Sequence, residues 1–141
     1  MRNHQGFSPL LAAAQYGQTD ICGLLLSHGS NVNEVFSETN WTALHFASVS
    51  GHYATVEALL LWGAVVDPRD HAGMTPLYGA CQEGHMACVL ILLKAGAIVS
   101  VEANDGSLPI HTAARLNRVE IIGALLEHGC RIDSLIIYLQ Q

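Results

Sequence analysis

Polar turn residues and short apolar stretches alternate along this chain in a block that recurs. The clearest copy runs from Asp70 to Glu102, DHAGMTPLYGACQEGHMACVLILLKAGAIVSVE. A turn at Gly73 leads to Thr75 and Pro76, the signature of a helix start: a hydroxyl that caps and a proline at the first helical position. A short Ala/Cys helix follows and stops at Gly84. A second, more apolar helix is predicted over Met86 to Lys94 and stops at Gly96, after which the chain reads as extended. Two short antiparallel helices cannot bury their apolar faces alone, so the unit requires copies of itself on either side.

The copies are present. The capping position falls at Ser8, Thr42, Thr75 and Leu108, spacings of 34, 33 and 33. The residues that follow are Pro9, Ala43, Pro76 and Pro109, then Leu10, Leu44, Leu77 and Ile110. The residue between the helices is Gly17, Gly51, Gly84 and Asn117. Asn is the next best residue at a left-handed helix terminus, so the last copy keeps the same geometry. Gly29, Gly63, Gly96 and Gly129 end the second helices.

Ser8-Pro9-Leu10…Gly17, Thr42-Ala43-Leu44-His45…Gly51-His52, Thr75-Pro76-Leu77-Tyr78…Gly84-His85 and Leu108-Pro109-Ile110-His111 resemble the ankyrin repeat pattern G-x-T-P-L-H-x-A-A-x-x-G-H. The resemblance covers residues 3 to about 133. It implies an all-α repeat solenoid of four stacked helix-turn-helix units with β-hairpin fingers, in repeats of about 3–35, 36–69, 70–102 and 103–133. Departures are local. Leu108 loses the cap, worth ~1 kcal/mol, while Leu11 and Tyr78 stand where the family has His. One extra residue within Glu34–Thr39 should bulge the hairpin leading to repeat 2. The apolar tail 134–141 reads as a truncated next repeat or cap. Two fates are open to it: folding back over repeat 4, or pairing with another chain as a β-prone segment. Repeat 1 likewise lacks the polar outer face of a terminal repeat, so the chain reads as a fragment or truncated isoform of a longer repeat protein.

Composition narrows the function. Half of the 141 residues are hydrophobic, only 13% are charged, and the net charge is −6. Six Lys and Arg without a cluster do not make a phosphate-binding surface, so neither nucleic acid nor an anionic membrane is an expected partner. Met86–Leu93 falls far short of the ~20 residues that span a bilayer. The chain carries no recognisable signal peptide, and a cytoplasmic or nuclear setting is expected. Cys22, Cys81, Cys88 and Cys130 occupy positions where other repeats carry small apolar or hydroxyl residues, which predicts free thiols packed as small hydrophobes.

Eight histidines invite a metal reading, but His45 and His111, His52 and His85, and His28 and His128 are copies of one repeat position lying 33 or more residues apart, and Cys81…Cys88 with His85 lacks a second ligand pair. No cofactor and no metal are predicted. No phosphate loop or nucleophile elbow appears, and no enzyme activity is expected. The resemblance implies that His45 bonds Thr42 and secures its own turn, whereas His111, beside Leu108, needs another partner. The sequon Asn40-Trp41-Thr42 is set aside, since Thr42 is explained as a cap.

By the same resemblance, a partner protein would bind at the hairpin tips and the concave face of the first helices. The residue before each cap is Phe7, Trp41, Met74 and Ser107. Three large apolar residues in register would form a binding stripe, unless each lies flat on the neighbouring hairpin. The ends of the first helices, Gln15-Tyr16, Val49-Ser50, Gln82-Glu83 and Arg115-Leu116, change chemistry from repeat to repeat, as a partner-reading surface would. Glu38, Asp70, Glu83, Glu102 and Asp105 make this side mildly acidic and suit an apolar segment flanked by basic residues. On the convex side, Leu61, Trp62 and Leu90 either pack between repeats 2 and 3 or dock a further domain. Asn33 resembles the hairpin Asn that an asparaginyl hydroxylase modifies in some ankyrin proteins.

The reading is a protein–protein interaction module, monomeric unless its open ends associate. Repeat 3 is most similar to repeats of ankyrin-and-SOCS-box proteins, which recruit substrates to cullin-based ubiquitin ligases. That role is one alternative, although no SOCS box follows Ile132. A regulatory arm of an enzyme or channel is another.

Overall fold

A computed structural model of the chain describes residues 6–140; residues 3–5 of the first expected repeat and the last residue of the tail lie outside the described residues. Four helix pairs follow one another: α1 (Pro9–Gln15) with α2 (Thr19–Ser27), α3 (Ala43–Ser50) with α4 (Tyr53–Leu61), α5 (Pro76–Glu83) with α6 (Met86–Lys94), and α7 (Pro109–Arg115) with α8 (Val119–Glu127). The first helices α1, α3, α5 and α7 pack in one row and the second helices in another. Strands β1 (Val35–Phe36) and β2 (Trp41–Thr42) form the leading hairpin of repeat 2.

Each start signal works as its chemistry predicts. The hydroxyls of Ser8, Thr42 and Thr75 accept the N–H of Leu11, His45 and Tyr78 at 3.2, 3.3 and 3.2 Å. Leu108 has no such acceptor, and its own N–H is instead taken by His111 Nδ1 at 3.0 Å. Behind the caps, Leu10, Leu44, Leu77 and Ile110 form one fully buried row through the core. Each such side chain contributes about 1.5–3 kcal/mol relative to exposure.

The residue between paired helices is fixed twice over. Gly51 has φ +80°, and a Cβ there would fall 2.7 Å from the His85 ring of the next repeat. His52 stands over Gly17 in the same way and donates from Nε2 to Gln15 O at 3.0 Å. In repeat 4 Arg118 takes this place, reaching Gln82 O from Nη2 at 3.0 Å. The residue following this glycine or asparagine, His52, His85 and Arg118, therefore locks repeats 2, 3 and 4 each onto the preceding one.

The extra residue of the hairpin before repeat 2 lies in the turn 37–40. Phe36 pairs with Trp41, five positions on, whereas Asp70 and Ala103 donate to the carbonyls of Met74 and Ser107, four positions on. Asn40 takes the left-handed conformation (φ +62°) that Gly73 and Gly106 adopt in the shorter turns. Neighbouring hairpins are tied edge to edge by His71 N–H to Thr39 O at 3.0 Å and Asn104 N–H to Ala72 O at 2.8 Å.

The tail is helical, not extended. A tight turn (Ile132–Leu135) and α9 (Ile136–Leu139) lie against α7, with Leu135 buried. The carbonyl of Ser134 accepts from His111 Nε2 at 2.8 Å, the role that Met74 O plays for His45 at 3.0 Å. On the convex side Leu61, Trp62 and Leu90 are 83%, 47% and 46% exposed, while Leu60 and Ile91, one position along, are half-buried against the core.

Candidate partner-binding surface

The residues before the caps do not form the outer ends of the hairpins. They lie on the returning side, and the exposed turn positions are Ser37 and Glu38, His71 and Ala72, then Asn104, Asp105 and Gly106. The backbone reverses there, and polar side chains and glycine suit that reversal. Phe7 and Trp41 are half-buried in an aromatic cluster. Phe7 meets Phe36 and Phe46 edge-on with centroids 5.2 Å apart, and Trp41 meets Phe46 at 5.0 Å while stacking on His45 at 5.9 Å. Trp41 also donates its indole N–H to Asp70 Oδ2 at 2.8 Å. Asp70 Oδ1 accepts the N–H groups of Ala72 and Met74 at 2.9 and 2.8 Å and so shapes the turn that presents Met74, itself half-buried. The Trp41 ring thus rests against the next hairpin and is half-buried.

Ser107 is buried. It joins Tyr78 OH at 2.6 Å, and its hydroxyl and N–H donate to Asp105 Oδ1 at 2.6 and 2.9 Å, which holds the Asp105 carboxyl below the ordinary carboxylate range. A tyrosine can thereby replace the histidine of repeat 2: its longer reach meets the side chain of the next turn where His45 meets a backbone carbonyl. His45 accepts the Thr42 N–H at Nδ1 (3.2 Å), so Nε2 carries the proton donated to Met74. Burial, only partly offset by the Met74 carbonyl and Asp70, pushes its pKa below the ordinary value. The His45–Thr42 bond is present as well, at 3.1 Å.

The ends of the first helices give the most open part of this side. Tyr16 is 71% exposed, and Ser50, Glu83 and Leu116 in the same register are exposed too. Beside them Gln15, Val49 and Gln82 are half-buried and Arg115 is exposed, its Nη2 donating to Thr112 Oγ1 at 3.1 Å. Among the acidic residues expected here, Glu38, Glu83, Glu102 and Asp105 are exposed, whereas Asp70 is half-buried and engaged by Trp41.

Other candidate chemistry is structural. All four cysteines are free; burial raises Cys81 to about 12 and Cys88 to about 11, which suppresses the reactive thiolates. Among the described residues no group of three or more His, Cys, Asp or Glu could hold a metal ion, and no helix is long and apolar enough to cross a membrane. Asn33 is half-buried and its Oδ1 accepts Val65 N–H at 2.9 Å, as Asp67 Oδ2 accepts Ile98 N–H at 3.1 Å one repeat on. Modification of Asn33 would require this junction to open.

A profile described as "Ankyrin repeats (3 copies)" matches residues 1–70 and 59–135. The chain belongs to the ankyrin repeat family. Human "Ankyrin repeat and KH domain-containing protein 1" is 37% identical over 76 residues, 53% of this chain and 3% of that protein. Mouse "Ankyrin repeat domain-containing protein 17" is equally similar over the same shares, and zebrafish "Inversin" is 36% identical over 73 residues, 51% of this chain and 7% of its own length. This ankyrin chain therefore spans only a small part of each of these curated relatives. Ankyrin stacking explains why buried positions recur while exposed ones drift.

Proposed function

We propose that the chain is a protein-interaction module that holds its partner along the side formed by the hairpin turns and the ends of the first helices. One contrast carries this reading. Leu10, Leu44, Leu77 and Ile110 are uniformly aliphatic and buried, whereas Tyr16, Ser50, Glu83 and Leu116, at the ends of the same helices, are exposed and chemically unlike one another. Stacking dictates the first register and leaves the second free to be read by a partner. Half-buried Phe7, Trp41 and Met74 extend this surface, with Val49, Gln82 and Arg115 between. Exposed Glu38, Glu83 and Asp105 favour an apolar segment flanked by basic residues.

Affinity capture from lysate tests it, comparing the native chain with a Tyr16→Ala, Glu83→Ala, Leu116→Ala variant and a convex Leu61→Ala, Trp62→Ala variant, each confirmed as folded by circular dichroism. Partners lost only with the first variant support the reading. Partners lost only with the second move the site to the convex side.

A further inference from the structure

The convex side of the two middle repeats carries a patch whose charges are arranged diagonally. On each second helix, two positions one turn apart lie on the same face. In repeats 1 and 4 they hold Gly23 with Ser27 and Gly123 with Glu127. In repeat 2 they hold Glu57 and Leu61, and in repeat 3 Leu90 and Lys94. All four of these middle side chains are exposed, although both repeats have a neighbour on each side. The two helices α4 and α6 are successive copies packed side by side, so Glu57 stands beside Leu90 and Leu61 beside Lys94. Opposite charges thus take one pair of diagonal corners and leucines the other. Four residues of helix advance the chain by about 6 Å, and packed helices lie about 8–10 Å apart, so the patch is not far from square. A groove of about 340 Å³ runs through it, floored by Leu60 and Ile91, with Glu57 and Lys94 among its lining. Neither Glu57 nor Lys94 makes an ion pair or side-chain hydrogen bond among the described residues.

We propose that this patch is a contact between two copies of the chain, related by a two-fold axis that lies near the leucine diagonal. The warrant is charge complementarity of the patch with itself. A half-turn about that axis sets Glu57 of each copy against Lys94 of the other, while each leucine meets its own counterpart over the groove. A partner segment of one charge sign would meet a like charge at one corner, whereas a second copy meets the opposite charge at both. The contact is isologous, so it closes as a dimer. The leucines supply the apolar burial, and the two symmetry-related ion pairs fix the orientation. Both hairpin sides remain open in such a dimer, which would present two partner-binding surfaces.

Sedimentation velocity on the full chain over a wide concentration range, with charge reversal at the corners, tests the proposal. The mass is expected to climb from the 15.1 kDa of one chain toward that of two. Glu57→Lys and Lys94→Glu each set like charges against one another at both contacts and should weaken the association about tenfold or more. The double variant Glu57→Lys, Lys94→Glu should recover it, and an equimolar mixture of the two single variants should form mixed dimers. Leu61→Ser should weaken the dimer in every charge background. These positions are exposed, so folding should persist, which circular dichroism checks. Two results overturn the proposal: one-chain mass at every concentration in the native chain, or a double variant and a mixture that associate no better than the single variants.

Discussion

The middle and the ends of this molecule are built from the same repeat and live in different surroundings. Repeats 2 and 3 are packed from both sides, and α3 and α5 each bury six of their eight residues. Among the described residues repeat 1 is packed from one side, and its first helix α1 buries four of seven residues. Repeat 4 has the tail laid over α7 but its second helix keeps an open side. The apolar character of the sequence hardly changes across these regions. In a solenoid, then, a residue's contribution depends on whether a neighbour arrives to cover it, and hydrophobicity by itself does not show which side is covered.

Substitutions at matched positions sharpen that comparison. The largest difference is expected between Leu77→Ala in the fully buried row and Leu24→Ala on the open face. The first should cost about 2–5 kcal/mol through a lost core side chain and its cavity, the second at most about 0.5 kcal/mol, both read by urea denaturation. The caps come next. Thr75→Ala removes the bond to Tyr78 N–H and should cost about 1 kcal/mol, whereas Leu108→Thr supplies an acceptor that repeat 4 lacks and should raise the unfolding midpoint. A Leu108→Thr variant with an unchanged midpoint would mean that His111 already meets the need.

The smallest effect is a pH dependence centred in the middle of the stack. Burial lowers the pKa of His45 in the fold below its ordinary 6.5, so the unfolded chain takes up the proton first as pH falls. The stabilisation is therefore fully present above about pH 6.5 and declines below it, through the window down to the folded-state pKa. His45→Gln should flatten that decline in a series of melts between neutral and mildly acidic pH; an unchanged slope would assign it to other groups.

The period, the caps and the helix stops were legible in the sequence because they are local: a hydroxyl bonds an N–H three residues on, and a glycine permits the left-handed turn. Thr42 with His45 was legible through the ankyrin resemblance, and the free cysteines and the extra hairpin residue through comparison of one repeat with the next. The polar links between repeats were not legible. Trp41 to Asp70, Tyr78 to Ser107 and Arg69 to the Glu102 carbonyl join residues 29 to 33 apart, and only the stacking geometry brings them together. The same reason explains the candidate surface. Counting back from the cap finds Phe7, Trp41 and Met74, but whether such rings face solvent or lie against Phe46 and the next hairpin depends on the neighbouring repeat. Leu61 and Trp62 sit on a helix that is apolar nearly all round, so periodicity could not say which side is buried.

Native-state hydrogen exchange followed residue by residue tests most directly the claim that a neighbour on each side, and not the residue pattern, sets local stability. The account predicts the slowest exchange in α3 and α5, intermediate rates in α1 and α7, and the fastest in α2, α8 and α9, with protection falling from the middle outward. Equal protection across all four helix pairs would contradict it and would mean that the chain opens only as a whole.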